Sequence, residues 1–412
     1  MSRVAFAYRN GALCAEQVPL DDIARRFGTP CYVYSSAAIQ DAYGEFARAL
    51  QGREALVCYS VKANSNLAVL ALLARLGAGF DIVSGGELAR ILAAGGEPRK
   101  TFFSGVGKSG GEIEYALRQG IGCINIESEA ELERVDRVAR RLGRRAPIAF
   151  RVNPDIDART HPYISTGLRE NKFGVPYAEA ERLYVRAAAL PGLEVVGIGC
   201  HIGSLLVETA PFVAAVERLA LLVDRLEKKG IRLRHIDVGG GIGIRYKDES
   251  PAPIGAFVAG ALAAIGERKL AVVFDPGRSI VGNAGVLITR VEYVKPGFLV
   301  VDAAMNDLIR PALYGAWHEI RTVTESAPGA AVYDIVGPVC ESGDFIAKER
   351  RLAAGEGDLL AVMSAGAYGM VMSSNYNSRP RAAEVLVRGG DALLVRSRES
   401  AEQLFALEHI PG

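Results

Sequence analysis

Lys62 follows the apolar run Leu56-Val57-Cys58-Tyr59-Ser60-Val61 and precedes Ala63-Asn64-Ser65-Asn66, an Asx and Ser stretch that starts a helix. The run reads as a buried strand with Lys62 at its carboxyl end. Desolvation there favours the neutral amine, which can form a Schiff base with a carbonyl compound. A lysine at a strand end also snorkels to water, so Lys62 gains its meaning from its companions.

Three of these companions occur downstream. Gly239-Gly240-Gly241-Ile242-Gly243 lacks the side chains that keep backbone N–H groups away from a phosphate, although glycine-rich turns also arise for steric reasons. Cys200-His201-Ile202-Gly203-Ser204 offers a flat imidazole and a hydroxyl. Asp275-Pro276-Gly277-Arg278 offers a carboxylate for a protonated ring nitrogen and a guanidinium for an oxyanion. A lysine for an aldehyde, glycines and Ser204 for a phosphate, an imidazole for a ring face and a carboxylate for a pyridinium together specify pyridoxal 5'-phosphate, with the ring as electron sink.

The elements that must position these residues are short β-branched-rich runs separated by stretches of helical character. The strands are predicted at Ala55–Val61, Phe80–Val83, Thr101–Ser104, Cys123–Ile126, Pro147–Val152, Val195–Cys200, His235–Val238 and Ala271–Phe274. Helices are predicted at Asn66–Leu76, Gly86–Ala94, Glu112–Gln119, Ser128–Leu142, Tyr177–Ala189, Pro211–Lys229 and Pro253–Ile265. This α/β rhythm fits a (β/α)8 TIM barrel, and an open doubly wound sheet shares the same local pattern. The closed form is favoured by the polar residues at the strand ends, Lys62 with Asn64, Asp81 with Ser84, His201 with Ser204 and Asp275 with Arg278 among them, which a barrel would gather on one face.

From about residue 284 the runs Val286–Val294, Phe298–Val301, Val332–Val336, Leu359–Met363, Ala383–Val387 and Ala392–Val395 follow one another without long helices, so a mostly β C-terminal domain is expected. Asp21–Phe27 reads as a helix and Pro30–Tyr34 as a strand, a piece expected to pack with that domain. The expected division is a barrel over residues 38–283 and a β-sandwich or barrel-like domain from 1–37 with 284–412.

At 412 residues, with half of them hydrophobic and a formal net charge of +1, the chain has ample core and no electrostatic case for nucleic acid or a membrane surface. The first nine residues lack the apolar core of a signal peptide, and no apolar run spans a bilayer; a cytoplasmic location is expected. Six scattered cysteines without a CxxC pair suit reduced thiols, and five histidines, His161 included, lack ligand spacing, so no metal site is expected.

Further motifs extend over nearly the whole chain: Tyr59-Ser60-Val61-Lys62-Ala63-Asn64, Phe80-Asp81-Ile82-Val83-Ser84-Gly85-Gly86-Glu87, His201-Ile202-Gly203-Ser204, Asn306-Asp307-Leu308-Ile309-Arg310-Pro311, Gly337-Pro338-Val339-Cys340-Glu341-Ser342-Gly343-Asp344 and Gly366-Ala367-Tyr368-Gly369. In these the chain resembles the fold type III, alanine racemase-like decarboxylases that use pyridoxal phosphate, and specifically the branch acting on meso-2,6-diaminopimelate to give L-lysine. Cys340-Glu341 is discriminating, because the ornithine and arginine relatives usually carry aspartate after the cysteine.

The resemblance implies cofactor contacts at Lys62, Asp81, His201, Ser204, Gly239, Gly240, Gly241, Asp275, Gly277, Arg278 and Tyr368. It implies that Arg278, Arg310 and Tyr314 hold the distal carboxylate, that Glu341 meets the distal amino group and Tyr368 the substrate, and that Cys340 is the proton donor in a catalytic set with Lys62 and His201. It further implies a homodimer in which Cys340, Glu341 and Tyr368 act on the cofactor held by the other subunit's Lys62.

Three positions depart from the family pattern. Asp275 stands where glutamate is usual, Leu205 where a polar residue often follows His-x-Gly-Ser, and the connection Lys295-Pro296-Gly297 is short. Decarboxylation of another basic amino acid, a non-catalytic cofactor-binding homologue and amino-acid racemization stand as alternatives. Glu341 and Arg310 argue against the first, the retained Lys62, His201 and Cys340 against the second, and the Cys340-Glu341 context against the third.

Overall fold

The computed structural model describes residues 5–156, 172–325 and 330–411; residues 1–4, 157–171 with His161 among them, 326–329 and 412 lie outside the described residues. The chain divides into two compact units, Tyr43–Ile244 with Ser250–Ser279, and Met1–Ala42 with Arg245–Glu249 and Ile280–Gly412.

The first unit is built on β1 (Ala55–Ser60), β2 (Gly79–Ile82), β3 (Thr101–Phe103), β4 (Cys123–Ile126), β5 (Ala146–Asn153), β6 (Leu193–Gly199), β7 (His235–Asp237) and β8 (Ala271–Phe274). Each pairs in parallel with the next, and β8 pairs back onto β1 through Val272 with Ala55, Val273 with Leu56 and Phe274 with Val57. That last ladder closes a (β/α)8 barrel and excludes the open sheet. The two-residue strand Val175–Pro176 extends the edge of β5.

Between the strands run α1 (Leu67–Arg75), α2 (Gly85–Ala93), α3 (Gly110–Gln119), α4 (Glu129–Arg141), α5 (Tyr177–Ala189), α6 (Ala210–Lys228) and α7 (Ile254–Ile265). The side chains of Asn66, Ser84, Ser109 and Ser128 accept backbone N–H groups at the starts of α1 to α4, so these helices begin within a few residues of the strand ends. Because all eight strands run parallel, the first residues after each of them lie at one end of the barrel. Inside, Cys58, Phe102, Cys123, Ala149, Val196 and Val273 fill the space against Leu56. At Gly79 a Cβ atom would stand 2.4 Å from Lys100 O, so only glycine lets β2 approach so closely.

In the second unit Cys31–Ser35 lies between Gly285–Lys295, antiparallel, and Ala383–Arg388, parallel. The N-terminal strand is thus interior to a sheet made mostly of C-terminal residues. Its core contains Leu13, Leu20, Ile23, Val33, Val286, Ile288 and Val385. Pro296 and Gly297, the latter with φ +79°, turn the chain between Gly285–Lys295 and Phe298–Val301.

Phe345–Leu352, not expected as a strand, pairs with Ala331–Val336 at the sheet edge. Its Lys348-Glu349-Arg350-Arg351 stretch masks the strand period, and charge of this kind discourages pairing of an edge with another chain. The short strands Phe6–Arg9, Ala12–Ala15 and Ile320–Thr322 are likewise absent from the sequence reading. Among the described residues no helix is long and apolar enough to cross a membrane.

Candidate active site

After β1 the chain makes one 3-10 turn, Val61–Ala63, which carries Lys62. The Tyr59 hydroxyl donates to Asn64 O at 3.0 Å and Asn64 Oδ1 accepts from Asn66 N at 3.1 Å, so the turn is braced on both sides. Lys62 Nζ lies 3.1 Å from Asp81 Oδ2; the lysine side chain is 39% exposed and the aspartate 1%. The same carboxylate accepts from Ser60 Oγ at 3.2 Å and from Ser104 Oγ at 2.5 Å, and Ser104 Oγ in turn accepts from Asn125 Nδ2 at 3.0 Å.

Ser60, Ser104 and Asn125 join the candidate site only in the folded structure. The available signal was a polar residue within or closing an otherwise apolar strand. Glu87 stands close by, with Oε2 accepting from Val83 N at 2.7 Å. Burial pushes its carboxyl up to about 7, against the lowering effect of the Val83 bond and of the Lys62 charge.

At the ends of β6, β7 and β8 the remaining barrel candidates converge. His201 Nδ1 is 3.7 Å from Asp275 Oδ1, too far for a hydrogen bond, and that carboxylate oxygen is buried with no hydrogen-bond partner. Gly239 takes φ +80° while its N–H donates to Asp237 Oδ1 at 2.9 Å. Burial, with the Asp275 charge adding to it, raises Asp237 well above the usual carboxylate range.

A Cβ at Gly240 would stand 2.3 Å from Asp275 C and O, and one at Gly241 1.8 Å from Gly203 O. Backbone therefore meets backbone at this turn, and no side chain can be inserted. Leu206 N donates to Gly241 O at 2.9 Å and Gly243 N to Leu206 O at 2.8 Å, which ties the loop of His201 and Ser204 to the glycine turn. Leu205, the departure from the family pattern, sits within that loop at φ +64°. Gly277 brings the Asp275–Arg278 turn against the Lys62 turn, since a Cβ there would lie 2.9 Å from Ala63 Cβ. One end of the barrel thus gathers Lys62, Asp81, His201, Ser204, Gly239, Gly240, Gly241, Asp275, Gly277 and Arg278.

The other candidates belong to the second unit. Arg310 and Tyr314 begin and end the short helix Arg310–Tyr314; Arg310 is 4% exposed and Tyr314 half-buried. Cys340 and Glu341 are exposed on a turn pinned by Asp344, whose carboxylate accepts from Met305 N at 2.6 Å and Val339 N at 2.7 Å. Cys340 N donates to Asn377 Oδ1 at 2.8 Å. Tyr368, half-buried, adopts φ +55° in a turn where a Cβ at Gly369 would stand 2.6 Å from Ala365 O.

Comparison with known proteins bears on this arrangement. Residues 36–282 match the family model described as pyridoxal-dependent decarboxylase, pyridoxal binding domain. Over 409 residues the chain is 59% identical to the diaminopimelate decarboxylase of Pseudomonas aeruginosa, covering 98% of this chain and 99% of that one. The crystal structure of diaminopimelate decarboxylase from Helicobacter pylori complexed with L-lysine superimposes with a TM-score of 0.92 at 44% identity, over 94% of this chain and 99% of that one. The diaminopimelate decarboxylase of M. jannaschii, also in complex with L-lysine, gives a TM-score of 0.94 at 34% identity, over 99% and 98%.

Proposed function

Because this chain belongs to the pyridoxal-dependent decarboxylases, and is most like their diaminopimelate-specific branch, we infer its reaction from both the relatives and the site. It decarboxylates meso-2,6-diaminopimelate to L-lysine and carbon dioxide, the last step of lysine biosynthesis, with pyridoxal 5'-phosphate as cofactor. The observation that carries the reading is Lys62 beside Asp81 at the mouth of the barrel, in a chain 59% identical to the Pseudomonas aeruginosa enzyme over nearly its whole length.

The barrel residues fit the cofactor. The partnerless buried oxygen of Asp275 suits a protonated pyridine nitrogen, and the glycine turn presents a backbone surface to a phosphate. Bound there, the cofactor supplies an electron-withdrawing ring that spreads the charge left on the substrate carbon.

We assign Lys62 to hold the aldehyde carbon, Ser204, Gly239, Gly240 and Gly241 to the phosphate, with Gly277, Arg278 and Tyr368 as further contacts, and His201 to the ring face. Asp81 orients Lys62. Arg278, Arg310 and Tyr314 take the distal carboxylate, Glu341 takes the distal ammonium, Tyr368 contacts the substrate, and Cys340 delivers the proton to the carbon that lost its carboxylate. Residues 38–283 form the cofactor domain and 1–37 with 284–412 its partner. The working unit is a cytoplasmic homodimer in which Cys340, Glu341 and Tyr368 serve the cofactor of the other subunit.

The test is an assay of purified protein with meso-diaminopimelate, ornithine and arginine, reading carbon dioxide and amine product. Stoichiometric lysine from meso-diaminopimelate alone, lost in Lys62→Ala together with the visible absorption of the bound cofactor, is the expected result. Turnover of ornithine or arginine in its place would overturn the substrate, and cofactor binding without turnover would overturn the activity.

A further inference from the structure

His318 is fully buried, and both ring nitrogens are engaged: Nε2 lies 2.8 Å from Arg310 Nη1, and Nδ1 lies 2.8 Å from Met363 O. A guanidinium can only donate and a carbonyl oxygen can only accept. The imidazole is therefore the neutral tautomer with its proton on Nδ1, donating to Met363 and accepting from Arg310.

The framework around the ring is rigid. Gly315, at φ +60°, ends the Arg310–Tyr314 helix and folds the chain back so that His318 returns to the residue that began it. Met363 N donates to Glu319 O at 2.8 Å, so two hydrogen bonds fasten the 318–319 segment to Met363. Tyr246 completes the arrangement. Its ring centroid is 4.6 Å from Arg310 Cζ, and it meets the His318 ring edge-on at 5.3 Å and 81°. The guanidinium is thereby held twice, by the His318 ring nitrogen at Nη1 and by the Tyr246 ring over which its Cζ lies.

The chemistry of the partner matters. A carboxylate in the place of His318 would neutralise Arg310 and compete with an anionic ligand, whereas a neutral imidazole orients the guanidinium and leaves its charge intact. We propose that His318 is a specificity-determining positioning residue that aims Arg310 at the second carboxylate of the substrate. The proposal rests on the reading that Arg310 binds that carboxylate.

The test uses cofactor-loaded protein and calorimetric binding of two ligands, L-lysine, which keeps the distal carboxylate, and 1,5-diaminopentane, which lacks it. Loss of a hydrogen bond to a charged group is expected to weaken L-lysine about tenfold or more in His318→Leu while 1,5-diaminopentane changes less than about twofold. His318→Gln, which returns an acceptor near Nε2, is expected to recover most of the L-lysine affinity. Wild-type L-lysine affinity in His318→Leu together with weakened binding in Arg310→Met overturns the proposal and leaves the role of Arg310 standing. Wild-type L-lysine affinity in Arg310→Met overturns both. Equal weakening of the two ligands in both His318 variants marks a general packing role and also overturns the proposal.

Discussion

Lys62 Nζ and Asp81 Oδ2 stand 3.1 Å apart, joining the turn after β1 to a buried carboxylate on β2 that Ser60 and Ser104 also reach. With its side chain 39% exposed, Lys62 is not desolvated as a buried strand end would imply, and the opposite charge at this distance favours the ammonium over the neutral amine expected from the sequence. In cofactor-free Asp81→Asn protein, Lys62 is expected to react roughly three- to tenfold faster with trinitrobenzenesulfonate at pH 7 than in the wild type, with peptide mapping as the readout. An unchanged rate would mean that the carboxylate does not govern the amine.

Asp275 is one methylene shorter than the glutamate usual in the family, and its Oδ1 is buried without a hydrogen-bond partner. On the proposed pairing of Asp275 with a pyridinium nitrogen, a longer side chain shortens that reach and strengthens the electron sink. Asp275→Glu is expected to raise kcat by about two- to tenfold, no more than about 1.4 kcal/mol of barrier. A kcat equal to or below that of the wild type counts against the idea.

His235 is buried against Phe102, and burial pushes its imidazole down to about 4, with the Arg234 charge adding to the effect. The unfolded chain binds this proton near pH 6.5 and the folded chain only near 4, so the contribution is whole above about 6.5 and is lost as pH falls toward 4. The loss amounts to about 3 kcal/mol at most. Glu87, held up to about 7, acts in the opposite sense, costing stability as pH rises from the ordinary carboxylate range toward 7. Urea denaturation of wild type and His235→Phe from pH 7 to 4 separates the two. The variant is expected to show the flatter acid limb, and parallel curves would exclude His235 as the source.

Lys108 and Glu131 form an ion pair at 2.7 Å with side chains 1% and 7% exposed, and Lys108 Nζ also donates to Gly105 O and Asn125 O. Removing one member leaves a buried charge and two carbonyls without their donor. Lys108→Met is expected to cost about 3–5 kcal/mol in chemical denaturation, with Lys108→Met/Glu131→Gln recovering part of it. A cost below about 1 kcal/mol would show that water enters to take the place of the ammonium.

Much of the candidate site is legible because its signals are local. Tyr177–Ala189 and Phe298–Val301 occur with their predicted bounds, since helical and strand periods, caps and turns are written into a few consecutive residues. A lysine after an apolar run, three glycines in succession and an Asp-Pro-Gly-Arg turn each declare a chemical capacity in the same way. The charged edge strand Phe345–Leu352 escaped because its polarity answers to solvent and not to the strand period.

The sequence by itself determined which residues could do chemistry and that they would close strands in a repeating α/β pattern. Tertiary structure decided which of them meet. Pairing of Val273 with Leu56 turned a pattern compatible with an open sheet into a closed barrel, and Asp81 came to accept from Ser60, which ends one neighbouring strand, and Ser104, which follows the other. Cys31–Ser35 took its place between strands more than 250 and 350 residues downstream, and His318 became the partner of Arg310 only through the left-handed turn at Gly315 and the anchor at Met363. Period and propensity act over a few residues, whereas closure and side-chain partnership depend on how distant segments pack, and that follows from burying the whole apolar surface at once.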